Sequence, residues 1–131
     1  KDDGRAVSNF INQAISGKPL TVNGDGNQTR SFCYVSDMVV GIEKAMMTKG
    51  TNGEIFNLGN PEEYKIIDLA EKIRKMAGSK SKIVFGPYPQ DDPQQRKPDI
   101  TKAKKLLNWE PKISVDEGLV KTIEYYRSLK N

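Results

Sequence analysis

Two arginines stand where a guanidinium could meet an anion. Arg30 follows the glycine turn Gly24-Asp25-Gly26 at the start of a strand-like run, and Arg96 lies in the polar stretch Gln94-Gln95-Arg96-Lys97-Pro98-Asp99. A guanidinium is planar, permanently charged and forks two parallel N–H groups at a phosphate, so two of them closing from opposite sides would clamp a diphosphate. Spacing alone leaves the plainer alternative open, two exposed arginines in surface ion pairs. Trp109, within Leu107-Asn108-Trp109-Glu110-Pro111, also has two readings: a stacking plane for a base, or a plug between the last two helices.

Other chemistries are excluded by what the sequence lacks. It holds no histidine, which removes imidazole acid–base catalysis and the usual zinc sites, and one cysteine, Cys33, which removes an internal disulfide. The run Gly24-Asp25-Gly26-Asn27-Gln28-Thr29 lacks the third glycine of a dinucleotide-binding turn and leads into a strand, so it reads as a hairpin turn. Tyr126 and Lys130 have the spacing by which an ammonium lowers a phenol's pKa, but they fall at the frayed end of the last helix, where desolvation is hard to arrange. These residues predict no catalytic group, no cofactor seat and no metal site in residues 1–131.

Composition agrees with a ligand-holding piece. The chain has 131 residues, 36% hydrophobic and 29% charged, enough for one globular domain with a modest core. Its net charge of +4 fits anionic partners and equally a plain, mildly basic solvated surface, so charge alone does not decide. The basic residues are scattered and lack interleaved aromatics, so no nucleic acid is expected as a partner. No apolar run is long enough for a membrane span. The chain opens on Lys1 within a helical pattern, from which we expect a segment of something longer.

The elements that must position these residues follow from periodicity. Val7, Phe10, Ile11, Ala14 and Ile15 form one helical stripe, with Gly17 beyond it and Pro19 ending it. Strands are expected at Leu20–Asn23, Arg30–Val35, Glu54–Leu58 and Lys82–Phe85. Ser36 is expected to cap a second helix with the inward stripe Val39, Ile42, Ala45 and Met46. Ile66, Leu69, Ala70, Ile73 and Ala77 predict a third helix, Thr101 to Leu107 a fourth, and Ser114 with Glu117 a capping box for a fifth over Val115–Leu129. The Pro-rich stretch from Gly86 to Asp99 reads as a binding or mobile loop. The sum is an α/β arrangement of about five helices and four short strands. So thin a sheet predicts an exposed apolar face.

Several of these runs, in order, resemble a known family. Pro19-Leu20-Thr21-Val22-Asn23-Gly24-Asp25-Gly26-Asn27-Gln28-Thr29-Arg30-Ser31-Phe32-Cys33-Tyr34-Val35-Ser36-Asp37 is similar to a signature of extended short-chain dehydrogenase/reductases acting on nucleotide sugars, the epimerase/dehydratase family. Asp3-Gly4-Arg5, Val7-Ser8-Asn9-Phe10-Ile11, Asn57-Leu58-Gly59-Asn60-Pro61-Glu62-Glu63 and Asp91-Asp92-Pro93-Gln94-Gln95-Arg96-Lys97-Pro98-Asp99-Ile100 narrow the resemblance to the UDP-glucuronate decarboxylases. The resemblance implies a small C-terminal substrate-binding domain lacking its N-terminal Rossmann domain, which would carry NAD and the tyrosine–lysine pair. It implies that Leu20, Thr21, Val22 and Asn23 offer backbone groups to uracil, that Arg30 and Arg96 clamp the diphosphate, and that Val7, Phe10 and Ile11 line the nucleotide pocket. The partners implied are a UDP-sugar and the Rossmann domain, in a cytoplasmic homodimer. The whole enzyme would oxidise C4 of the sugar with NAD, release carbon dioxide and return the hydride. Sister reactions on the same scaffold, 4-epimerisation and 4,6-dehydration, and a stand-alone nucleotide-sugar binding module are the alternatives. Two positions depart from the pattern: Asn23 stands where the family has tyrosine, and Lys65 where it has a serine or threonine cap.

Overall fold

A computed structural model describes residues 6–88, 95, 96 and 98–129, the side chains of 95 and 96 excepted. The order is α1 (Ala6–Ser16), β1 (Leu20–Asn23), β2 (Thr29–Arg30), α2 (Val35–Met47), β3 (Tyr64–Lys65), α3 (Ile66–Met76), β4 (Ile83–Gly86), β5 (Gln95–Arg96), α4 (Thr101–Leu107) and α5 (Val115–Ser128). The fold is α/β, as expected. Strands β1 and β4 pair in parallel with Leu20 opposite Ile83 and Asn23 opposite Gly86, and a second sheet has the order β3-β2-β5. The chain divides into two compact units, one of Lys1–Arg30, Tyr64–Gln95 and Leu119–Asn131, the other of Ser31–Glu63 and Arg96–Gly118.

The first unit is built on the stripe that periodicity announced. Phe10, Ile11 and Ala14 of α1 are buried, and α1 packs on α3 and β1. From α3 come Ile66, Leu69, Ala70 and Ile73, and from β1 come Leu20 and Val22, neither exposing any surface. The alternation of β1, inward at Leu20 and Val22 and outward at Thr21 and Asn23, follows from the two-residue period of a strand. Helix α1 closes with Gly17 at φ +74°. Helix α3 ends at Ala77, with Gly78 beyond it at φ +62°. A left-handed residue there lets N–H groups turn back on the last carbonyls.

The second unit holds a smaller core of Ile100, Ala103, Leu107 and Trp109, with Cys33, Ala45, Phe56 and Leu58 packed against it. Here the expected pattern needs four corrections. Helix α2 begins at Val35 with Tyr34 as its N-cap and no side-chain cap, so Ser36 is not the capping residue. Its buried positions are Asp37 and Gly41, whereas Val39, Ile42 and Met46 are 45, 48 and 78% exposed. The reason lies at Gly41: a Cβ there would stand 2.9 Å from Leu58 and 3.0 Å from Trp109, so the helix meets its core through its thinnest side. Only Ala45 of the predicted stripe faces the core, and the outward remainder supplies the exposed apolar face expected of this chain.

The other two corrections concern strands. Of the run Arg30–Val35 only Arg30 lies in a strand, β2, and α2 already starts at Val35. Glu54–Leu58 has the alternation of a strand, yet no described residue forms a ladder with it, and a strand exists only by its partner's hydrogen bonds. It is held instead by Lys102, which donates to the Ile55 carbonyl at 3.3 Å and pairs with Glu54 at 2.7 Å. Two strands went unpredicted, β3 and β5, each of two residues and too short to show a period. Half of the Gly86–Asp99 stretch, residues 89–94 and 97, lies outside the described residues.

Candidate functional site

The turn from Gly24 to Gln28 is the best-fixed part of the predicted site. Gly24 and Gly26 adopt φ +62° and +78°, a region that L side chains rarely enter. A Cβ on Gly26 would also lie 2.7 Å from Ile67 and 2.8 Å from Val22. The Asp25 carboxylate accepts the Asn27 N–H at 2.9 Å and its Nδ2 at 3.0 Å. Those bonds, the backbone one foremost, hold the Asp25 pKa below 3.8. The carbonyls of Gly26 and Gln28 accept the N–H groups of Ile67 and Ile66, each at 3.0 Å, so the turn is seated on the first turn of α3. These carbonyls stand in for the missing Ser or Thr cap, Lys65 being an N-cap with no side-chain bond.

This seating delivers Arg30. Strand β2 pairs antiparallel with β3, Arg30 opposite Tyr64 and Thr29 opposite Lys65. Arg30 is half-buried, and its Nη1 donates to the Thr29 carbonyl at 2.7 Å. Arg96 lies on β5, the strand next to β2 in the sheet order, and its side chain lies outside the described residues. Thr21 and Asn23 face outward on β1, while Leu20 and Val22 point into the core. Val7 is half-buried on α1; Phe10 and Ile11 are 2% and 0% exposed and act from beneath, as the packing that supports β1.

The remaining sequence candidates have structural occupations. Trp109 is 2% exposed, and its Nε1 donates to the Asp37 carbonyl at 2.9 Å, so it is a core residue packed with Ala103 and Leu107 of α4 and not a stacking plane. Tyr126 donates its hydroxyl to Ser8 Oγ at 3.0 Å, and Lys130 lies outside the described residues. The Cys33 thiol is pushed above 9.0, first by burial and then by the Asp37 charge. An open hollow of about 540 Å³ is lined by Ile55, Asn57, Asp99, Thr101, Lys102, Lys105 and Leu106, none of them a predicted site residue. Among the described residues no group of three or more acidic, cysteine or histidine side chains could hold a metal ion, and no helix is long and apolar enough to cross a membrane.

Three polar residues escaped the sequence reading. Asp37 is 6% exposed, and its Oδ2 accepts the N–H groups of Lys112 and Ile113 at 3.0 and 2.8 Å, tying a distant loop to the start of α2. Gln13 bonds Thr21 twice, Oε1 to its N–H at 3.1 Å and Nε2 to its hydroxyl at 3.0 Å. Gln28 is 4% exposed and donates Nε2 to the Asn23 carbonyl at 3.1 Å, while its Oε1 has no partner among the described residues. A buried acceptor left so costs about 1–3 kcal/mol. The signal for these residues was faint: a lone Asp in a helix's first turn and two glutamines whose partners periodicity cannot reveal.

Comparison with known proteins bears on the same elements. Residues 3–122 match the family described as GDP-mannose 4,6 dehydratase. UDP-glucuronic acid decarboxylase 1 of Danio rerio is 53% identical over 125 residues, 95% of this chain and 29% of that protein. The chain spans 28–36% of the length of the curated relatives it matches. Among solved structures, a UDP-glucose 4-epimerase of Thermotoga maritima with UDP-glucose aligns at a TM-score of 0.93 and 31% identity, over 99% of this chain and 41% of that one. A UDP-glucuronic acid 4-epimerase of Bacillus cereus, in complex with UDP-glucuronic acid and NAD, aligns at 0.90 and 34%, over 98% and 41%.

Proposed function

The chain belongs to the GDP-mannose 4,6 dehydratase family, and from that premise we propose that it is the UDP-sugar-gripping part of an enzyme that converts UDP-glucuronate to UDP-xylose. The observation that carries this reading is Arg30, half-buried at the exit of the turn that follows a strand whose Thr21 and Asn23 face outward. In the proposal Arg30 and Arg96 share one diphosphate, each guanidinium offering it a fork of N–H groups. The edge of β1 takes the base, and Val7 borders it. Phe10, Ile11, Leu20 and Val22 hold that edge in place.

In the proposal the turn from Gly24 to Gln28 is not a seat for NAD. The glycine turn runs into a strand instead of a helix N-terminus, and the space at Gly26 is filled by Ile67 and Val22. The proposal therefore assigns NAD, which would supply the hydride chemistry, to a Rossmann domain of a longer parent, and the division of labour is one of grip and reaction. Binding energy from the remote nucleotide positions the reacting sugar, a contribution an enzyme can realise at the transition state. The decarboxylase reading is favoured over 4-epimerisation by the identities, 53% against 31 and 34%. A homodimeric, cytoplasmic parent belongs to the same proposal.

Calorimetry with UDP tests the grip. Arg30→Ala is expected to lower affinity roughly tenfold or more, the loss of a charge-assisted contact. Equal binding by both proteins removes Arg30 from the site. Incubated with UDP-glucuronate and NAD, the chain by itself is expected to release no carbon dioxide; turnover would overturn the division of labour.

A further inference from the structure

Strand β1 has two edges. Toward β4, the N–H groups of Leu20 and Gly24 donate to the carbonyls of Lys82 and Gly86 at 2.8 and 2.7 Å. Alternate residues of a strand turn their backbone groups to opposite edges, so Thr21 and Asn23 address the other one. Its two ends are closed by side-chain amides. Gln13 Oε1 takes the Thr21 N–H, and Gln28 Nε2 takes the Asn23 carbonyl. Between them lie the Thr21 carbonyl and the Asn23 N–H, an acceptor beside a donor, engaged by no described residue.

We propose that Gln13 and Gln28 are positioning residues that fix where along β1 a nucleobase can sit, by occupying the outer two backbone groups and leaving one acceptor–donor pair. The inference rests on the reading of β1 as the base-facing strand. A uracil-type ring fits that pair, its imide N–H donating to the Thr21 carbonyl and an adjacent ring carbonyl accepting from the Asn23 N–H. Without Gln13 the Thr21 N–H opens, and the same ring gains a second, displaced register. Gln28 acts with fixed orientation: only its Nε2 end can meet a carbonyl, and its Oε1 stays indoors without a partner among the described residues. Gln13 satisfies both ends of its amide on one residue, Thr21.

The test follows backbone amide resonances of the isotope-labelled 131-residue chain during titration with UDP, with inorganic pyrophosphate as the control. The Asn23 amide is expected to move downfield with UDP and not with pyrophosphate, while the Thr21 amide, already bonded, stays in place. In Gln13→Leu the Thr21 amide moves as well, the mark of the second register, with pyrophosphate affinity unchanged. UDP affinity is retained, because the ring keeps two hydrogen bonds in either register. A Thr21 amide that stays in place in this variant overturns the inference. Gln28→Met is expected to free the Asn23 carbonyl for the same ring and so to alter the UDP-induced shift of the Asn23 amide, again sparing pyrophosphate; should it fail to fold, Gln13→Leu decides alone. UDP-dependent shifts around Arg30 with a motionless Asn23 amide overturn the inference and leave the nucleotide reading standing. No UDP-dependent shift anywhere overturns both.

Discussion

Asp37 carries a charge into the interior of the second unit, and what keeps it there is a set of backbone donors. Its carboxylate receives two N–H groups from the 112–113 segment, and its carbonyl receives the Trp109 indole. Asp37→Ala strands those two donors and is expected to destabilise the chain by about 3 kcal/mol, read from urea denaturation; a change under 1 kcal/mol would deny the knot its importance. At the surface, Asp25 and Asp99 are exposed carboxylates with lowered pKa values, Asp25 through the Asn27 N–H and Asp99 first through the Thr101 hydroxyl. A carboxylate whose pKa drops on folding stabilises the fold above its unfolded pKa and loses that effect as pH falls through its folded value. Carboxyl titration by NMR should place both midpoints below 3.8, and midpoints at or above it would contradict the two turns. At this scale the sequence was readable wherever a residue's role is local. Arg30 after its glycine turn and Trp109 as one of two alternatives were legible; Gln13, Gln28 and Asp37 were not, because their partners come from other segments.

Elements were legible in proportion to how much of their own pattern faces their own core. Helix α3 buries Ile66, Leu69, Ala70 and Ile73 as its spacing requires, and α4 begins and ends at the expected residues. Helix α2 did the opposite: its apolar stripe is the side the chain leaves uncovered, because a glycine makes the closer contact. Periodicity identifies a face and is silent on what the face meets. The α5 cap was legible as well, with the Glu117 N–H donating to Ser114 Oγ at 3.1 Å. Helix α3 supplies the test at this scale. Two of its leading N–H groups already have the carbonyls of Gly26 and Gln28, so Lys65→Ser should add no more than about 0.5 kcal/mol, the low end of a capping gain. A stabilisation nearer 2 kcal/mol in thermal melts would mean that the turn does not cap the helix.

At the scale of the whole chain, family and fold class were readable because motifs recur in order across almost all of it, residues 3–122. The strand Glu54–Leu58 was misread for the complementary reason: alternation marks a segment able to pair, and pairing needs a neighbour that no described residue provides. The placement of Trp109 has a practical side. The chain contains one tryptophan, and it sits in the second unit. Indole emission is therefore a built-in gauge of that half and is dark to the other. Denaturation followed by fluorescence and by far-ultraviolet circular dichroism should superimpose only if the halves melt as one. A gap between the two curves would report their independence with no label attached.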